Sequence, residues 1–127
     1  QFLFSCDDGL HGRELWISDG TRTGTRLLRD IEPGIGSSEP ATFSILGAQV
    51  VFVAATSAVG SELWITDGTP DGTRLLADLR PGPDSSSPTA LRRAAGAIWF
   101  TADDGSGYEL WRSDGTTAGT RRIAEIF

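Results

Sequence analysis

Lysine and methionine are absent from this 127-residue chain, which has one cysteine and one histidine. Each shortage removes some chemistry. Cys6 can form no disulfide within the chain and supports no cysteine-based zinc site. His11 cannot by itself serve a histidine metal cluster, and no GxSxG nucleophile elbow is present. The positive charge is entirely arginine, 11 residues against 17 acidic ones, for a net charge of −6. With no basic block, the chain is a poor fit to nucleic-acid backbones or anionic lipid. No apolar run approaches the length needed to span a bilayer, so membrane insertion is not expected. No stretch of ten or more residues carries a helical stripe. The first residue is Gln1 rather than Met, which points to a processed end or a segment of something longer.

Glycine, in contrast, is abundant, and it is placed periodically. The segment ELWISDGTRTGTR at 14–26 recurs as ELWITDGTPDGTR at 62–74 and as ELWRSDGTTAGTR at 109–121. The period is 48 residues from Glu14 to Glu62 and 47 from Glu62 to Glu109. LLRDIEPG at 27–34 returns as LLADLRPG at 75–82, and Phe4, Phe52 and Phe100 head the same strand. A repeat of this length signals one supersecondary unit used several times.

Each unit reads as four short strands. In the second copy they are A (42–46), B (49–54), C (62–66) and D (73–79), with Gly47-Ala48, like Ala95-Gly96 later, suited to a tight A–B hairpin. The first copy opens at strand B, so 11 strands are expected. The chain is then one repeat array over 1–127, with units 1–41 (lacking the first strand), 42–89 and 90–127. The expected fold is all-β, with consecutive four-stranded antiparallel blades of a β-propeller, about three blades in an incomplete ring. A β-trefoil is the alternative, although three 48-residue units would need some 17 residues more than are present. The partners this implies are further blades of a longer chain or other copies of itself.

The motif has a physical logic. Asp19 is expected to close an Asx-type turn on the backbone ahead of it, with Gly20 and Gly24 taking positive φ and Thr25 opening strand D. Asp67, Gly68 and Gly72 repeat this, as do Asp114, Gly115 and Gly119. On strand C, Leu15 and Ile17 point to one face while Glu14 and Trp16 point to the other. Trp16, Trp64 and Trp111 can leave water only if both faces of each sheet are covered, and burying one such ring contributes on the order of 2–3 kcal/mol. Cys6 shares its register with Ala54 and Ala102, which predicts a small buried strand residue, and Trp99 stands where Val51 does and is expected at a blade interface.

These residues resemble the bacterial family of ELWxxDGT repeat proteins. Glu14-Leu15-Trp16, Asp19-Gly20-Thr21 and Gly24-Thr25 match the motif, as do their equivalents in the other copies, so the resemblance covers nearly the whole chain. It implies large secreted or cell-surface bacterial proteins with many tandem copies and a propeller-like form. It implies no catalytic residue.

Candidate chemistry is sparse. Asp7-Asp8 and Asp103-Asp104, each followed by glycine in a B–C loop, are candidate oxygen ligands for Ca²⁺. Copy two has Thr56-Ser57-Ala58 there, so the repeat itself needs no metal, and no other cofactor is expected. Glu14, Glu62 and Glu109 recur in every copy, whereas a catalytic site is normally built once. They are expected to hydrogen-bond or pair with Arg26, Arg74 or Arg121, or with a neighbouring blade. The B–C positions that vary between copies are the candidate binding residues: Leu10, His11 and Arg13, then Val59 and Ser61, then Ser106 and Tyr108. Tyr108 beside acids suits a sugar. The expected function is a non-catalytic extracellular structural or interaction module. The alternatives are a lectin-like carbohydrate-binding module, assisted by calcium or not, and last a hydrolase acting in a channel.

Overall fold

A computed structural model describes residues 1–124. It is all-β, with 11 strands and no helix among the described residues. The strands are β1 (Phe2–Asp7), β2 (Arg13–Ser18), β3 (Arg26–Arg29), β4 (Ala41–Leu46), β5 (Gln49–Thr56), β6 (Gly60–Thr66), β7 (Arg74–Ala77), β8 (Thr89–Ala94), β9 (Ala97–Asp103), β10 (Tyr108–Ser113) and β11 (Arg121–Ala124). They form three antiparallel sheets with strands in chain order: β1–β3, β4–β7 and β8–β11. Among the described residues, no strand of one sheet is hydrogen-bonded to a strand of another. A trefoil barrel would require such pairing, so that alternative does not describe the chain.

The repeat is exact in register where it matters. Phe4 pairs with Trp16, Phe52 with Trp64 and Phe100 with Trp111. A bulge follows at the same point of each C–D pair, between Leu15 and Trp16, Leu63 and Trp64, and Leu110 and Trp111. The hairpins expected at 47–48 and 95–96 are present. Gly47 has φ +62°, and Ala95 and Gly96 are both left-handed, as a type I′ turn requires.

The sheets stack face on face. Leu15, Ile17, Leu28 and Ile31 of the first unit pack with Phe52, Ala54 and Trp64 of the second sheet. Val51, Leu63, Ile65 and Leu76 of that sheet pack in turn with Phe100, Ala102 and Trp111 of the third. Each interface thus joins a Leu/Ile face to a Phe/Trp face. Trp64 and Trp111 are each 9 % exposed, and Trp16, with no sheet in front of it, is only half-buried. Cys6 shares Trp16's face and is half-buried rather than buried, unlike Ala54 and Ala102, because no sheet covers that face and no fourth strand flanks β1. Trp99 lies half-buried on the outer face of the third sheet, with the Arg112 guanidinium 5.9 Å from its ring centroid, rather than inside an interface.

Candidate functional site: the two loop ends and the buried glutamates

Four-stranded meanders put the A–B hairpins and the DGT loops at one end of the stack, and the B–C loops and D-to-A connections at the other. The DGT loop forms as the sequence predicts, with differences at Gly24 and Thr25. Asp19 Oδ1 accepts from Thr21 N–H at 2.9 Å and Thr21 Oγ1–H at 2.6 Å, and Asp67 and Asp114 do the same with Thr69 and Thr116. The threonine hydroxyls hold these carboxyls below the usual range. Gly20, Gly68 and Gly115 have φ of +90° to +92°. Gly24, Gly72 and Gly119 do not take positive φ. They are glycine for space, since a Cβ at any of them would overlap the carboxylate of Asp19, Asp67 or Asp114. Thr25 lies just before β3 and closes the loop, bonding Ser18 Oγ at 2.7 Å and donating to the Thr21 carbonyl at 2.6 Å.

The glutamates are the charged residues among the fully buried polar groups. Glu14, Glu62 and Glu109 are each 0 % exposed. Glu14 accepts from the main-chain N–H groups of Ile31 (2.9 Å), Glu32 (3.1 Å) and Ser38 (3.2 Å), and from the Ser38 hydroxyl. Glu62 accepts from Leu79 N–H and Ser86 N–H, both at 2.9 Å, and from the Ser86 hydroxyl. Their partners are therefore the connection to the next sheet, not Arg26 or Arg74. The reason is geometric: Arg26 and Arg74 are exposed at the start of their D strands, while the glutamates point at the returning chain. The equivalent connection beyond Glu109 lies outside the described residues. Burial raises the carboxyl pKa of Glu14 and Glu62, partly offset by the serine and main-chain donors.

The connection then passes the link on. Ser38 O accepts from Ala55 N–H at 2.8 Å and Ser86 O accepts from Asp103 N–H at 2.9 Å, so Glu14 and Glu62 each hold the segment that holds the next sheet. Sequence reasoning missed these serines. A signal was available: Ser-Ser stands 23 and 24 residues after Glu14 and again after Glu62.

The B–C loop residues do share one end, but they do not converge on one site. Leu10 is 71 % exposed and Tyr108 45 %. Arg13 and Ser106 are exposed, and His11, Val59 and Ser61 are half-buried. His11 Nδ1 is 2.7 Å from Asp8 Oδ2. Asp7 accepts from Gly9 N–H, and Asp8 from Leu10 and His11 N–H. Asp103 accepts from Gly105 and Gly107 N–H and sits 3.5 Å from Arg80. Asp104 accepts from Ser106 and sits 3.3 Å from Arg122. Thus the four aspartates divide between two separate loops, with cations and turn amides as their neighbours. No group of three or more metal-ligating side chains is placed to hold an ion among the described residues.

At the other end, a cleft of about 620 Å³ opens between the hairpins of the second and third sheets, lined by Leu46, Gly47, Arg93, Ala95, Gly96 and Asp114 among others. None of the predicted binding residues lines it. No protein-family model, curated protein or solved structure matches the chain.

The Asp8–His11 pair gives a pH-dependent contact. The hydrogen bond from His11 holds the Asp8 carboxyl down at about 2, and Asp8 raises His11 above its usual 6.5. The His11 contribution is complete below 6.5 and lost as pH rises through the raised value, whereas that of Asp8 is complete above 3.8 and lost as pH falls through about 2. An NMR titration of the single histidine should give a midpoint above 6.5 that falls back toward 6.5 in Asp8→Asn. A wild-type midpoint at or below 6.5 would contradict the pairing.

Proposed function

We propose that this chain is a non-catalytic structural and interaction module made of ELWxxDGT-type propeller blades, working outside a bacterial cell or on its surface. In this reading its B–C loops offer a protein or glycan partner a surface fixed by the sheets behind them. The fate of the recurring glutamate supports it most. A general acid or base must reach a substrate, but Glu14 and Glu62 are fully buried and occupied by their own chain. His11 is bonded to Asp8, and no serine or cysteine bonds it among the described residues. The lectin-like alternative has one observation in its favour, the exposed Tyr108 ring at the start of β10, opposite Asp103.

Generic ester and glycoside substrates are expected to show no turnover. Turnover that is lost in His11→Ala would replace this reading with a hydrolase. Silence on a glycan array keeps the structural reading, and glycan binding abolished by a chelator would transfer the assignment to a calcium-assisted lectin.

A further inference from the structure

The two outermost faces of the stack are the two halves of its internal interface. At one end the Phe/Trp face of the first sheet is uncovered: Phe2 is 65 % exposed and stacks on Phe4 at 5.4 Å, with half-buried Trp16 beyond. The same face of the second and third sheets is covered by the Leu/Ile face of the sheet before it. At the other end the third sheet leaves its own Leu/Ile face uncovered, with Leu110 half-buried and Ile123 42 % exposed.

The DGT loops sharpen the match. Ile17 lies over Gly68 of the second sheet, and Ile65 lies over Gly115 of the third. Around Gly20, the equivalent in the first sheet, there is nothing within 4 Å of a Cβ position. In the third sheet the residue equivalent to Ile17 and Ile65 is Arg112. Laid on a first sheet in the way Ile17 lies on the second, Arg112 would come down over Gly20, next to the carboxylate of Asp19. The isoleucine of the first two sheets is thus replaced by a cation on the face that the third sheet leaves open, where the Arg112 guanidinium lies 5.9 Å from the Trp99 ring centroid.

We infer that the third sheet of one chain docks on the first sheet of a second copy, head to tail, with Arg112 paired to Asp19 across the joint. This rests on the reading of the chain as a stacked-sheet module and names its partner. The interface is heterologous, using two different patches, so association closes into a ring or continues as a column according to the rotation per sheet. An ion pair at such a joint fixes register and discriminates against wrong pairings.

Sedimentation of the 127-residue chain over a wide concentration range tests this. Wild type should populate multiples of the single-chain mass as concentration rises. Phe2→Glu spoils only the first-sheet patch and Arg112→Glu only the third-sheet patch; each alone should associate at least about tenfold more weakly. Both positions are partly or largely exposed, and an unchanged circular dichroism melt verifies that the variants fold. Mixed in equal amounts, the two variants should form a dimer and nothing larger, because each retains the patch the other lacks. A wild type that stays monomeric, variants that associate like wild type, or a mixture that stays monomeric would each overturn the docking. The substrate and glycan assays are read on the single chain, so this docking can fail while the structural reading stands.

Discussion

Glu62→Ala should melt about 10 °C below the wild type, a loss of about 3 kcal/mol. The Leu79 amide would lose its buried acceptor, and the Ser86 amide and hydroxyl would keep only the Ser61 carbonyl, at 3.1 and 3.5 Å. A buried donor left unmatched costs about 1–3 kcal/mol. Glu62→Gln retains one carbonyl acceptor and should cost about half as much. Because burial raises this carboxyl, its contribution is complete below the ordinary glutamate pKa and declines as pH rises through the raised one. The deficit of Glu62→Ala should therefore be larger in acid than at neutral pH. A melting temperature within about 2 °C of wild type would show that the glutamate does not hold the connection.

The second large effect separates two tryptophans that the sequence makes equivalent. Trp64→Ala should cost about 3–5 kcal/mol, since the ring is closed between the first and second sheets and its removal leaves a cavity there. Trp16→Ala should cost less than half of that, because nothing covers its outer face. The Trp64 indole N–H is buried without a hydrogen-bond partner, so Trp64→Phe gives up ring area but no hydrogen bond and should cost only about 1 kcal/mol. Chemical denaturation of the three variants, at concentrations where the chain is monomeric, checks the order. Equal losses at Trp16 and Trp64 would mean that the sheets do not depend on each other for cover.

Much of this was legible from the repeat. The copies of ELWxxDGT set the number of strands, the pairing of Phe4 with Trp16 and the two faces of strand C, because alternation along a strand leaves no other choice. The DGT turn was legible because Asp19 acts on atoms two residues away. The partners of Glu14 were not, since Ser38 is 24 residues distant and only the path of the connection brings it back. Gly24 was misread for a similar reason: its constraint is the Asp19 carboxylate lying against it, which no dihedral preference announces. The variable residues between strands B and C include Arg13, Ser61 and Tyr108, which the structure places in β2, β6 and β10, and the contacts of His11 and Asp103 followed from loop geometry alone.

The carbonyl hand-off at Ser38 and Ser86 bears on how the chain comes apart. A sheet that frays releases its glutamate, which frees the strap behind it, which in turn loosens the first rung of its neighbour. Unfolding is thereby made contagious along the stack. A repeat chain that would otherwise lose one unit at a time is bound into a single cooperative body.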